Sequence, residues 1–154
     1  MTNKKSNHAS RSGFTLIELV VVIGILAVLL TIVLVAINPS RQFKQANDTK
    51  RKSDVNAILN AVHQYSAEHK GDLSPLGIGS SAAYIADNSI DICEDLVPDY
   101  ISALPKDPLQ SDSQVTDCTA TYNTHYQILK DTDGRVTVIA PDTEVATTDI
   151  SITR

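Results

Sequence analysis

The longest apolar segment of the chain runs from Phe14 to Ile37 and contains a single charged residue, Glu18. As a helix these 24 residues span about 36 Å, which exceeds the hydrocarbon thickness of a bilayer, about 30 Å. A secretory signal has a shorter apolar region, about 7 to 15 residues, followed by a small-x-small cleavage site. Leu34-Val35-Ala36 is a poor site of that kind. The pattern therefore predicts a membrane-spanning helix.

A second helical pattern follows from Ser40, where apolar residues recur at three- and four-residue spacing and polar residues face away. Lys70-Gly71 is a typical helix end, a basic last turn followed by a glycine. We expect one long helix from Phe14 to Lys70, about 85 Å in length. Pro39 lacks an amide donor, so it should kink or restart this helix and act as a hinge. The predicted buried stripe comprises Val55, Ile58, Leu59, Val62, Tyr65 and Ser66.

The C-terminal part of the chain has the composition of β-strands. Tyr122 to Lys130, Val136 to Ala140 and Glu144 to Ile152 are rich in Thr, Val, Ile and Tyr, and Asp131-Thr132-Asp133-Gly134 is a hairpin connection between the first two. One short helix is predicted at Asp95 to Tyr100 in an otherwise loop-like stretch. A three- or four-stranded antiparallel sheet packed on the amphipathic helix gives an α+β fold.

Glu18 lies on the second turn of the apolar helix, where an unpaired carboxylate in lipid costs on the order of a few kcal/mol. The segment Gly13-Phe14-Thr15-Leu16-Ile17-Glu18, followed by the apolar stretch, resembles the class III signal of type IV prepilins and of the pseudopilins of type II secretion and competence systems. The resemblance implies cleavage after Gly13 by a prepilin peptidase and N-methylation of the new terminus, Phe14. It also implies that Glu18 pairs with the Phe14 ammonium of a neighbouring subunit during assembly.

The resemblance divides the chain into a leader at 1–13, a transmembrane and filament-core helix at 14–37, an amphipathic helix at 38–70 that forms the spine of the head, and a loop and sheet at 71–154. It implies a precursor in the inner membrane with a cytoplasmic leader, and a filament outside the cytoplasm after assembly. The implied partners are further copies in a helical homopolymer, the prepilin peptidase, an inner-membrane assembly platform and minor pilins.

A second resemblance lies outside the membrane segment. Leu104-Pro105-Lys106-Asp107-Pro108 is similar to a turn that is common before the sheet of pseudopilins. Three roles stay open within the family: a pilus subunit, the major pseudopilin of a type II secretion system, and a competence or minor pilin. A monomeric binding or adhesion domain anchored by the helix is the alternative from another class. An enzyme is not expected, because no nucleophile, base and orienting group occur together.

Charge is distributed unevenly along the chain. The leader carries three basic residues and no acid; residues 41–52 carry five basic residues and one acid; residues 54–154 carry 16 acids against five bases, a net charge of −11. The acidic head argues against nucleic acid as the main partner. The excess of basic residues on the far side of the span runs against the positive-inside rule, and we give precedence to the prepilin signal. We expect residues 41–52 to contact acidic head surface on adjacent subunits.

Cys93 and Cys118 are the two cysteines of the chain, and an even number in an exported domain favours a disulfide. Two free buried thiols or a metal pair are the alternatives. A disulfide here closes a loop that stabilises the fold by about 3 to 4 kcal/mol in the chain-entropy model.

Metal ligation is weakly indicated. Three histidines of the head, His63, His69 and His125, lack metal-ligand spacing and are expected at the surface. Asp131-x-Asp133-Gly134 begins like a calcium loop, but a hairpin turn explains it more simply. No cofactor is expected. Major pseudopilins often bind calcium near the C-terminal sheet, and the resemblance makes weak candidates of Asp107, Asp112, Asp117, Asp142 and Asp149.

Overall fold

The computed structural model describes residues 13–110 and 114–154, so Asp112 and most of the leader lie outside the described residues. It has two long helices, a small antiparallel sheet and short elements between them, which confirms the α+β class. The helices are α1 (Leu16–Ile37), α2 (Pro39–Glu68) and α3 (Cys93–Leu96), with one 3₁₀ turn at Ser74–Leu76. The strands are β1 (Ala83–Ala86), β2 (Leu104–Pro105), β3 (Gln114–Val115), β4 (Asn123–Lys130), β5 (Val136–Ala140) and β6 (Ile150–Thr153).

Helix α1 has the length and composition of a membrane span. Its 22 residues include a window with a mean hydropathy of 3.4, and none of its residues is buried within the described part of the chain. The hydroxyl of Thr31 donates to the backbone carbonyl of Ala27 at 2.9 Å, which satisfies a polar group that would be costly in lipid.

At the junction of α1 and α2 the helix restarts at Pro39, which is one of the two outcomes predicted for that residue. Asn38 adopts a left-handed conformation with φ of 48°, which ends α1, and Pro39 is the first residue of α2. Proline suits this position because a first-turn amide has no partner within the helix. The chain divides here into two compact units, residues 1–39 and residues 40–154, and the second unit is called the head below.

The core of the head lies between α2 and a four-stranded sheet. The stripe predicted on α2 is buried at Val55, Ile58, Leu59, Val62 and Tyr65, whereas Ser66 is half-buried. Helix α2 ends at Glu68, two residues before the predicted end, and Lys70 and Gly71 both have positive φ. The inward-facing sheet residues that share this core are Ile85, Tyr126, Ile128, Val136, Val138, Ala140 and Ile150.

The sheet has the antiparallel order β1-β4-β5-β6. The hairpin predicted between β4 and β5 is confirmed, with Gly134 at φ of 84°. Strand β1 was not predicted. Its four residues lie among turn-forming residues and are too few to show a clear alternation of apolar and polar positions. The third predicted strand is shorter than expected: residues 144–146 are not strand, because their amides bond a side chain of α2 instead. The helix predicted at 95–100 is wrong in its bounds: the single turn α3 lies at Cys93–Leu96, and residues 97–100 are a turn.

Candidate processing and assembly site

The residues before α1 form an open, accessible segment. Phe14 is 92% exposed. At Gly13, a Cβ atom would meet no other described atom within 4 Å, so packing within the chain does not require a glycine there. The backbone on either side of the Gly13–Phe14 bond is extended or irregular, and the helix begins two residues after Phe14. A protease can therefore reach this bond without unfolding α1.

Thr15 and Glu18 form a capping box that starts α1. The Thr15 hydroxyl accepts a hydrogen bond from the Glu18 amide at 3.2 Å, and Oε2 of Glu18 accepts from the Thr15 amide at 3.1 Å and from the Thr15 hydroxyl at 3.0 Å. Two of the amides that a helix start leaves without partners are thereby satisfied. Within the described residues Oε1 of Glu18 accepts no hydrogen bond, so one carboxylate oxygen stays available to another donor.

The N-terminal segment matches a known motif. The prokaryotic N-terminal methylation motif covers residues 8–34, which include Gly13, the capping box and most of α1. The chain carries the prepilin signal of type IV pilins and pseudopilins. Neither a curated protein nor a solved structure matches the chain. The methylation motif and the apolar α1 together fit a membrane-anchored precursor of the prepilin type.

The head contains a buried ionic network centred on Arg51, whose side chain is fully buried. Its Nε donates to Oδ2 of Asp107 at 2.6 Å, and its Nη2 donates to Oδ1 of the same carboxylate at 3.1 Å. Its Nη1 donates to Asp48 at 2.8 Å and to Glu144 at 3.4 Å. Burial alone would lower the pKa of Arg51, but hydrogen bonds to Asp107 and Asp48 raise it, so the guanidinium stays charged. The network connects α2 to the loop before β3 and to the loop between β5 and β6, residues 141–149, which we call the C-terminal loop.

Asp48 holds the C-terminal loop against α2. Its carboxylate accepts hydrogen bonds from the backbone amides of Glu144, Val145 and Ala146 at 3.0, 2.8 and 3.0 Å. Burial would raise the pKa of Asp48, but these three amides and Arg51 together lower it to about 2. Asn47 adds a hydrogen bond to Glu144 at 2.6 Å.

Tyr126 makes a second polar link between α2 and the sheet. Its hydroxyl donates to Asp54 at 2.8 Å. Burial, and then this hydrogen bond, raise the pKa of the Tyr126 phenol, which keeps it a neutral donor at physiological pH.

Sequence reasoning missed this network and assigned Arg51 and its neighbour Lys50 to another role. Arg51 and Lys50 were expected in a surface stripe, but Arg51 is buried and Lys50 pairs with Asp54 at 2.7 Å, so both serve contacts within the head. The sequence contained a signal for this burial. Asp48, Arg51 and Val55 follow one another at three- and four-residue spacing, which places Asp48 and Arg51 on the same helix face as the buried stripe.

The calcium candidates are not gathered at one place. Both oxygens of Asp107 face Arg51, and Asp117 bonds the amide and hydroxyl of Thr119. Asp142 lies 3.4 Å from Nδ1 of His125, and Asp149 is exposed. Across residues 13–110 and 114–154, no group of three or more carboxylate, imidazole or thiol side chains is placed to hold a metal ion.

The histidines differ in exposure. His69 is exposed and stacks on Tyr65, with ring centroids 3.9 Å apart, and His125 is partly exposed in a left-handed conformation. His63 is half-buried, and its Nε2 atom is buried, so the prediction of a surface position is wrong for that residue.

The two cysteines form a disulfide in the structure. Cys93 at the start of α3 is bonded to Cys118, with Cα atoms 5.4 Å apart. The bond ties the loop that follows β3 to α3, and Cys93 itself is fully buried in the core. Neither cysteine is therefore a free thiol or a metal ligand here.

Proposed function

We propose that this chain is a structural subunit of a type IV pilus or pseudopilus-like filament, cut after Gly13 and assembled through packing of α1. The observation that carries the proposal is the methylation motif at residues 8–34, joined to a helix whose entire apolar surface is exposed in the single chain. A helix of this kind has two environments available, lipid before assembly and the helices of other copies after it.

The proposed role of Glu18 follows from the chemistry of the cut chain. Cleavage after Gly13 creates an ammonium at Phe14 but leaves the capping box intact, because that box uses only atoms of Thr15 and Glu18. An ammonium and a carboxylate are each costly alone in a low-dielectric environment, and each can satisfy the other between subunits. Oε1 of Glu18 can accept the ammonium of a neighbouring subunit while Oε2 keeps the cap.

The major pseudopilin of a type II secretion or competence machine is the second candidate. It is favoured by the similarity of the Leu104-Pro105-Lys106-Asp107-Pro108 turn, whose aspartate holds the buried Arg51. A monomeric anchored binding or adhesion domain is the rival from another class. That rival needs α1 only as an anchor and therefore needs no charge at position 18.

Two substitutions of Glu18 separate capping from charge. Glu18→Gln keeps a side chain that can complete a capping box but removes the negative charge, whereas Glu18→Ala removes both. Thr15→Ala is the matched control, because it removes the hydroxyl of the cap, at a cost of about 1 kcal/mol, and leaves the charge. The variants are expressed with a prepilin peptidase and assembly machinery, and sheared filaments and the intact mass of the membrane-bound protein are measured.

If charge pairing drives assembly, Glu18→Gln and Glu18→Ala both lose filaments while Thr15→Ala retains most of them. The mass of each variant should still correspond to a chain that begins at Phe14, with one added methyl group on the wild type. Normal filament yield in Glu18→Gln would refute the pairing role. An uncut wild-type chain that begins at Met1 would refute the proposed processing.

A further inference from the structure

The first four turns of α2 carry exposed basic and aromatic side chains at several positions around the helix, and we name this group the base of the head: Arg41, Phe43, Lys44 and Lys52. All four side chains are exposed, and Phe43 is 72% exposed. Every residue from Pro39 to Ala46 is exposed, and burial on α2 begins only at Asn47 and Asp48. This part of α2 therefore extends beyond the core that the rest of the helix covers.

Two lysines of the base, Lys44 and Lys52, differ in their surroundings from the neighbouring Lys50 and Arg51. Lys50 pairs with Asp54, and Arg51 belongs to the buried network. The side chains of Lys44 and Lys52 are exposed. Residues 41–52 have a net charge of +4, in contrast to −11 for residues 54–154. The positive charge of the exported region is thus concentrated next to the membrane span.

The covalent chain keeps the base close to the membrane whenever α1 lies in lipid. Phe43 and Lys44 follow the last residue of α1, Ile37, by six and seven residues, so even an extended chain places them within about 25 Å of the end of the span. Basic residues on the translocated side oppose the positive-inside rule. Their concentration beside the span indicates a negatively charged partner at that surface.

We propose that, before assembly, the base of the head binds the bilayer surface through anionic phospholipid headgroups. Lys44 and Lys52 contact the phosphates, and Phe43 lies at the headgroup level, where aromatic side chains are favoured. An acidic head alone would be repelled by an anionic membrane, and the base supplies the attraction that holds it there. This inference concerns the membrane-anchored state and does not depend on filament assembly.

Lipid is favoured over a second copy because the base combines basic side chains with an exposed aromatic residue directly after the span. This combination is typical of segments that lie in the membrane interface. A contact with acidic head surface would account for the lysines but not for an exposed Phe43.

The test uses a tryptophan at position 43, since the chain has no other tryptophan. The full-length Phe43→Trp protein is reconstituted at low protein-to-lipid ratio in vesicles of phosphatidylcholine alone, or with phosphatidylglycerol added. Emission wavelength, acrylamide quenching and quenching by headgroup-labelled lipid are recorded. The anchor alone holds position 43 near the bilayer in both kinds of vesicle. The test is therefore the difference in emission and quenching between vesicles with and without phosphatidylglycerol.

We expect blue-shifted emission and lipid quenching with phosphatidylglycerol, both reduced in phosphatidylcholine. Raising the ionic strength from 0.01 to 0.15 M shortens the Debye length from about 30 to about 8 Å and should reverse the shift. Adding Lys44→Gln and Lys52→Gln should lower the ratio of docked to undocked heads about fivefold for each lysine. Lys70→Gln, an exposed lysine just beyond the other end of α2, is the matched control and should change little.

Equal spectra in the two lipids, or an unchanged spectrum in the double lysine variant, would overturn the proposal. A signal that depends on protein-to-lipid ratio rather than on anionic lipid would overturn it in favour of a second copy. Adding Glu18→Ala should leave the fluorescence response intact even where filaments are lost, which separates this proposal from the assembly function.

Discussion

Asp48→Asn tests whether the carboxylate of Asp48 is what fixes the C-terminal loop. Asparagine has nearly the same shape, but it replaces one acceptor oxygen with an NH₂ group. Oδ2 of Asp48 faces the amides of Val145 and Ala146 and Oδ1 faces Glu144 and Arg51, so an NH₂ group at either position would meet donors. The substitution therefore removes both the charge and part of the hydrogen bonding.

The pKa of Asp48 sets the size and pH range of the effect. Its ordinary value of 3.8 is lowered to about 2 in the folded protein, so ionised Asp48 stabilises the fold by about 2 kcal/mol at neutral pH. Because the folded-state pKa is the lower one, this stability is complete above pH 3.8 and is lost as the pH falls through 2. About 1 kcal/mol should be left at pH 3 and less than about half a kcal/mol at pH 2.

The assay is denaturant unfolding of the full-length protein in detergent, followed by near-ultraviolet circular dichroism of the tyrosines in the head. Wild type and Asp48→Asn should differ by about 2 to 3 kcal/mol at pH 7 and converge toward pH 2. Hydrogen exchange should report the same loss locally, at the amides of residues 144–146. A difference below about half a kcal/mol at pH 7, or one that does not shrink in acid, would refute the reasoning.

Three further outcomes are expected. Replacing Cys93 and Cys118 by serine should lower the free energy of unfolding by about 3 to 4 kcal/mol, because the bond spans a sequence separation of 25; equal unfolding midpoints with and without reductant would contradict this. Calcium or a chelator should leave the thermal midpoint unchanged, since Arg51 occupies both oxygens of Asp107; a rise with calcium would show a cation site elsewhere. Gly13→Val should block cleavage, seen as an intact precursor mass, while helix content measured by circular dichroism stays the same.

The N-terminal segment up to Ile37 could be interpreted from sequence because its properties are local. A membrane helix is specified by a continuous run of apolar residues, and the prepilin signal is a short contiguous segment, so neither depends on distant parts of the chain. The stripe on α2 and the hairpin at Gly134 were readable for the same reason, since helical periodicity and turn chemistry extend over a few residues.

The head required the tertiary structure wherever a residue's role depends on a distant partner. Arg51 looks like one more base in a basic stretch until Asp107, 56 residues away, is brought to its guanidinium. Residues 144–149 have strand composition, yet the amides of 144–146 bond Asp48, about 96 residues earlier, and leave only Ile150–Thr153 for the sheet. Sequence alone determined the apolar N-terminal helix with its methylation motif and the α+β class of the fold. Which charges are buried and which stay exposed for a partner was decided by long-range pairing, because a buried charge is tolerated only beside its counter-charge.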